Sequence, residues 1–109
     1  GEDATIIAYG QTGSGKTYTM GTSESASTGL CQLAAADIFA FISQNSSDAL
    51  PPIKVRASFI QIYNEKVTDL LATPDQAKVG LVLKERDGRV SAEGMLSEWV
   101  DSVDQLSAL

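Results

Sequence analysis

The strongest constraint on this chain is at residues 10–17, GQTGSGKT, which fit the pattern G-x-x-x-x-G-K-S/T directly behind the apolar, β-branched run ATIIAY at residues 4–9. Such a run predicts a strand buried on both faces. Gly10, Gly13 and Gly15 let the backbone turn where a Cβ would clash, so successive N–H groups can point at one anion. A helix leaving the loop adds partial positive charge at the same spot. A strand running in and a helix running out is the setting that polyphosphate binding requires. In it Lys16 bridges the β- and γ-phosphates, and the Thr17 hydroxyl is a ligand of Mg²⁺. The bland alternative is a Gly/Ser turn with no ligand.

Further along, leucine, isoleucine and phenylalanine recur at three- and four-residue steps over residues 29–44, which predicts a helix with a wide buried face. Turn formers and two prolines break the pattern at residues 45–52. Residues 53–64, IKVRASFIQIYN, begin with strict alternation and become apolar on both faces, which predicts one long strand. A helical turn is expected at residues 65–71. Asp87-Gly88 joins two alternating runs at residues 81–86 and 89–92, the signature of a tight hairpin. Ser102 with Gln105 three residues later resembles a capping box opening a last helix. The small-residue stretch GTSESASTG at residues 21–29 reads as a surface loop.

With 109 residues the chain holds one domain at most, or a piece of one; it opens on Gly1 rather than a methionine, and an excerpt of a longer protein is expected. The net charge of −6 argues against a nucleic-acid binder relying on bulk positive charge. Residues 1–50 carry a single base, Lys16, so any basic face must come from the second half. With no histidine, Cys/His zinc sites and histidine-based triads are excluded. The lone Cys31 forms no internal disulfide and has no histidine to activate it, so it reads as helix packing. No apolar run reaches the roughly 18–20 residues of a membrane span, so no membrane partner and a cytosolic setting are expected.

Two stretches resemble a known family. AYGQTGSGKTYTMG at residues 8–21 is similar to the nucleotide-binding segment of the kinesin motor domain, and SFIQIYNEKVTDLL at residues 58–71 is similar to that family's E-I-Y-N-E and D-L-L region, with Gln61 where Glu is common. The hairpin and closing helix follow in the family's order, so the resemblance covers essentially the whole chain. It implies an α/β P-loop NTPase fold with a central mixed sheet flanked by helices and a small β-hairpin. It also implies an ATPase that binds ATP and Mg²⁺ and drives movement along microtubules in the cytoplasm and cytoskeleton. Carried over by position, Gly10, Gln11, Thr12, Gly13, Ser14, Gly15, Lys16 and Thr17 hold the nucleotide, Lys16 and Thr17 serve catalysis, and Thr17 serves the metal. Tyr18 stands where kinesins place an aromatic ring beside adenine. Lys66, Lys84 and Arg89 match the track-facing region, where tubulin is acidic, although Glu85 and Asp87 among these bases weaken the patch. The competing reading makes the same bases a solvated hairpin edge that discourages strand pairing. Trp99 reads as a core or domain-interface residue.

The resemblance has limits. After Gly29 many kinesins continue into Pro-Arg, whereas this chain has Gln32-Leu33. Residues 1–109 are read as a partial motor domain: N-x-x-S-S-R and D-x-x-G, the two switch patterns, are absent, and the adenine motif would lie before Gly1. No useful turnover is expected from these residues alone, because several transition-state groups are missing together. The alternatives are a truncated, non-hydrolysing nucleotide- or microtubule-binding module and a small P-loop phosphotransferase. Against the latter, residues 21–48 contain no base for an acceptor or lid.

Overall fold

The computed structural model describes residues 2–21, 28–47 and 51–109. Parts of the expected loop at 21–29 and of the turn at 45–52 therefore lie outside the described residues. The chain divides into two compact units, Gly1–Ile53 with Ser102–Ala108, and Lys54–Asp101 with Leu109.

The first unit is helical. Its opening residues 2–10 carry no ladder, and Ile6, Ile7 and Tyr9 are exposed, so the buried strand expected at 4–9 does not form. A strand buried on two faces needs neighbours at its edges and helices over it, and this unit contains no other strand among the described residues. Helix α1, Lys16–Met20, follows the glycine loop and stops at Gly21, whose amide donates to Thr17 O at 2.9 Å. Gly21 lies so near Gly29 that a Cβ on Gly29 would overlap the Gly21 backbone.

Helix α2, Leu30–Asn45, matches the periodic segment. Gln32 explains its start without Pro-Arg: the Gln32 Oε1 accepts from Gly29 N at 3.1 Å, satisfying one of the amides a helix N-terminus leaves unpaired. At the other end Asn45 and Ser46 side chains donate to Phe41 O and Ile42 O at 2.8 and 2.7 Å. Only Ala35 of α2 is buried; Leu33, Ile38 and Phe41 stay open, so the wide buried face expected from the pattern is uncovered. Cys31 is exposed as well. Helix α4, Val103–Ser107, packs on α2 and begins as its sequence predicts, with Ser102 Oγ accepting from Gln105 N at 3.2 Å.

The second unit consists of three antiparallel two-stranded ribbons: β1, Val55–Ala57, with β6, Glu98–Val100; β2, Ile60–Tyr63, with β3, Lys66–Asp69; and β4, Val82–Arg86, with β5, Arg89–Glu93. The long strand expected over 53–64 is thus two strands with different partners. The helical turn expected at 65–71 is β3 instead, folded back on β2 through Asn64-Glu65, both at positive φ (46° and 62°). Successive left-handed residues make the tight turn whose twist suits a hairpin, and Asn tolerates that region. Asp87-Gly88 does the same between β4 and β5, as expected. A short helix not foreseen, α3, Pro74–Ala77, has proline in its first turn, and Gln76 Oε1 accepts from Thr73 N at 3.1 Å.

Val67 and Val100 are the buried apolar residues of this unit, and beside them Asp69 is only 4% exposed. Its carboxylate accepts from Leu71 N at 2.9 Å and from Leu96 N at 2.6 Å, tying the end of β3 to the segment before β6. Trp99 is exposed, not core: it pairs with Arg56 across the ribbon, and Arg56 and Lys54 lie 5.4 and 6.0 Å from its ring centre. Cations over an indole face cover it without desolvating it fully.

Candidate functional site

The glycine loop has the geometry of an anion cradle. Gly13 and Gly15 sit at φ 82° and 94°, in the left-handed region that side chains disfavour, and a Cβ on either would meet nothing within 4 Å, so conformation alone requires glycine there. Ser14 N donates back to Gln11 O at 3.1 Å, closing the turn. The amides of Gly13, Gly15, Lys16 and Thr17 donate to no backbone carbonyl among the described residues. They form a row of free donors at the mouth of α1. Lys16 arches over this loop, its Nζ donating to Gly10 O and, at 2.6 Å, to Gln11 O. The ammonium is therefore held on the same short stretch as the free amides, and phosphate oxygens would replace carbonyls as its acceptors. Thr17 and Tyr18 are exposed beside it, Tyr18 by 73%.

A second cluster lies on the β4–β5 ribbon. Alternation places Lys84, Arg86, Arg89, Ser91 and Glu93 on one face with Val82, and Leu83, Glu85, Val90 and Ala92 on the other. Glu85 therefore does not weaken the basic patch; Glu93 does, through an ion pair of 2.6 Å with Lys84. Lys66 opens β3, which bridges the residue before β4 at Val67–Leu81; its Nζ donates to Lys78 O at 3.1 Å, while Lys78 pairs with Asp75 at 2.7 Å. A cavity of about 170 Å³ next to Asp69, lined also by Gln76, Gly80, Leu81 and Leu96, is smaller than the roughly 300 Å³ at which ligand pockets begin. The cavity does not compete with the open loop as a nucleotide site.

The model of the kinesin motor domain matches residues 1–109. This chain belongs to the kinesin motor domain family. The mouse (Mus musculus) kinesin-like protein KIF27 is 36% identical over 114 residues, covering 100% of this chain and 8% of its own length. The rice (Oryza sativa subsp. japonica) kinesin-like protein KIN-4A is 46% identical over 82 residues, covering 73% of this chain and 8% of its own. A solved structure described as a fast kinesin, with implications for ATPase mechanism and interactions with microtubules, superposes with a TM-score of 0.77 at 33% identity. It covers 92% of this chain and 28% of that one. The chain thus spans under a tenth of the length of these curated relatives and about a quarter of the solved chain.

Kinesin membership makes the fold that of a P-loop NTPase, and in the described residues its α/β character appears as four helices and three antiparallel ribbons. Nucleotide binding, ATP hydrolysis and movement on microtubules are general properties of this family. Of the residues expected to act, Gly10 to Thr17 and Tyr18 lie on the glycine loop and the helix that leaves it, Lys84 and Arg89 share one face of the β4–β5 ribbon, and Lys66 lies on β3, which bridges the residue before β4 at Val67–Leu81. Arg86, one of the bases the sequence clusters around the hairpin, stands on the same face as Lys84 and Arg89. Glu93 and Asp69 were missed because a diagonal ion pair and a carboxylate holding distant amides leave no local pattern.

Proposed function

We propose that this chain is the nucleotide-gripping part of an ATP-driven microtubule motor. The observation that supports the reading is the row of unpaired amides at Gly13, Gly15, Lys16 and Thr17 beneath the Lys16 ammonium. Inward-pointing amides with an ammonium beside them suit the oxygens of a phosphate chain. Lys16 leaves its two carbonyls to bridge the β- and γ-phosphates, Thr17 Oγ1 supplies a hydroxyl to Mg²⁺, and the exposed Tyr18 ring stacks on the base. When bound, Mg·ATP brings the phosphoryl chemistry; this segment binds and orients it. No group of His/Cys/Asp/Glu able to hold a metal by itself occurs among the described residues. Thr17 Oγ1 is the group through which this segment would hold the Mg²⁺ that accompanies the nucleotide. Lys66, Lys84 and Arg89, with Arg86, face the acidic track.

Competition dialysis tests this reading. Inorganic tripolyphosphate with Mg²⁺ should displace labelled ATP from the chain, because the phosphates carry most of the contact. Displacement by adenosine and not by tripolyphosphate would overturn it.

A further inference from the structure

We propose that Glu93 sets how strongly the basic face of the β4–β5 hairpin engages an acidic polypeptide surface, by acting as the internal counter-ion of Lys84. This rests on the reading of that hairpin as a track contact. The face carries three cations, Lys84, Arg86 and Arg89, and one acid, Glu93. Arg86 and Arg89 stand directly opposite each other beside the turn, a like-charge pairing that costs the hairpin stability and that an incoming carboxylate relieves. Lys84 is already satisfied. Its direct cross-strand partner is Ser91, yet its Nζ reaches diagonally to Glu93 Oε2 at 2.6 Å.

The side chains of this pair are 46% and 54% exposed, so the pair is in exchange with water and open to competition. A partner carboxylate approaching Lys84 must displace Glu93 or accept its repulsion. Exposed pairs contribute little, so Glu93 is a trim on affinity and not a switch. At physiological salt the screening length is about 8 Å, which confines the effect to an acid in contact with the cation. Glu85 is the natural control: it has the same charge and lies on the same hairpin, but on the opposite face.

Co-pelleting of the 109-residue chain with microtubules from purified tubulin, over a salt series, tests the proposal. Glu93→Gln should tighten binding about two- to fivefold at low salt. Glu85→Gln, with the same change in net charge, should leave it unchanged. Lys84→Met should weaken binding, and adding Glu93→Gln to Lys84→Met should bring no gain. Equal effects of the two glutamate substitutions, or a gain that persists without Lys84, would overturn the proposal. Failure of the underlying reading looks different: the unsubstituted chain does not pellet, or Lys84→Met and Arg89→Ala pellet like it. All substituted positions are exposed, so no substitution removes a buried contact.

Discussion

Lys16 is the only base in the first fifty residues, and its ammonium rests on the carbonyls of the loop that it is to serve. Its place at the mouth of α1 was legible because the motif fixes identity and spacing together; its resting contacts were not, because nothing local in sequence orders a flexible side chain. Asp69 shows the converse. Its residue type marks it as surface, yet it is buried and accepts from Leu71 N and Leu96 N. Replacing it by alanine removes the acceptor of two part-buried amides, a loss of about 0.5–1.5 kcal/mol for a typical hydrogen bond and more where water cannot reach the freed group. Asp69→Ala should therefore speed hydrogen exchange of the Leu96 amide at least tenfold, with Asp69→Asn closer to the unsubstituted chain. Unchanged exchange in Asp69→Ala would mean that the carboxylate does not hold that segment.

At the scale of elements, α2, α4 and the β4–β5 hairpin match the sequence closely, because each is specified locally by periodicity, a cap or a Gly-containing turn. The β2–β3 hairpin escaped notice since its turn, Asn64-Glu65, lacks glycine. Glu65 at φ 62° bears a real cost: left-handed backbone disfavours a non-glycine residue by roughly 1–2 kcal/mol, partly offset by the backbone entropy that glycine would lose. Glu65→Gly should accordingly stabilise the second unit by about 0.5–1 kcal/mol in urea titrations followed by Trp99 fluorescence, whereas Gly88→Val at φ 73° should destabilise it. A destabilised Glu65→Gly variant would contradict the hairpin geometry. The single strand foreseen over residues 53–64 divided because β1 and β2 pair with different strands, a choice that pairing across long sequence separation makes and local alternation cannot report.

Among the described residues few apolar side chains are buried and many are exposed, among them Ile6, Ile7, Tyr9, Ile38, Phe41 and Ile62. The strand expected at residues 4–9 does not form and the face of α2 expected to be buried is open, because burial depends on neighbours that the described residues do not supply. Exposed apolar side chains in this number should give strong anilinonaphthalene sulfonate fluorescence and concentration-dependent association in sedimentation; a dye-silent monomer would show that they are covered. Steady-state phosphate release should stay at background even with microtubules present, since each missing transition-state donor costs roughly 10²- to 10³-fold in rate. Motor-like turnover would refute that expectation.

The account stands on triphosphate capture at the glycine loop, and calorimetric titration of the chain with Mg·ATP measures it directly. It predicts saturable one-to-one binding that weakens at least tenfold in Lys16→Ala, and weakens when Mg²⁺ is withdrawn. Equal binding by Lys16→Ala, or no saturable binding by the intact chain, would contradict it.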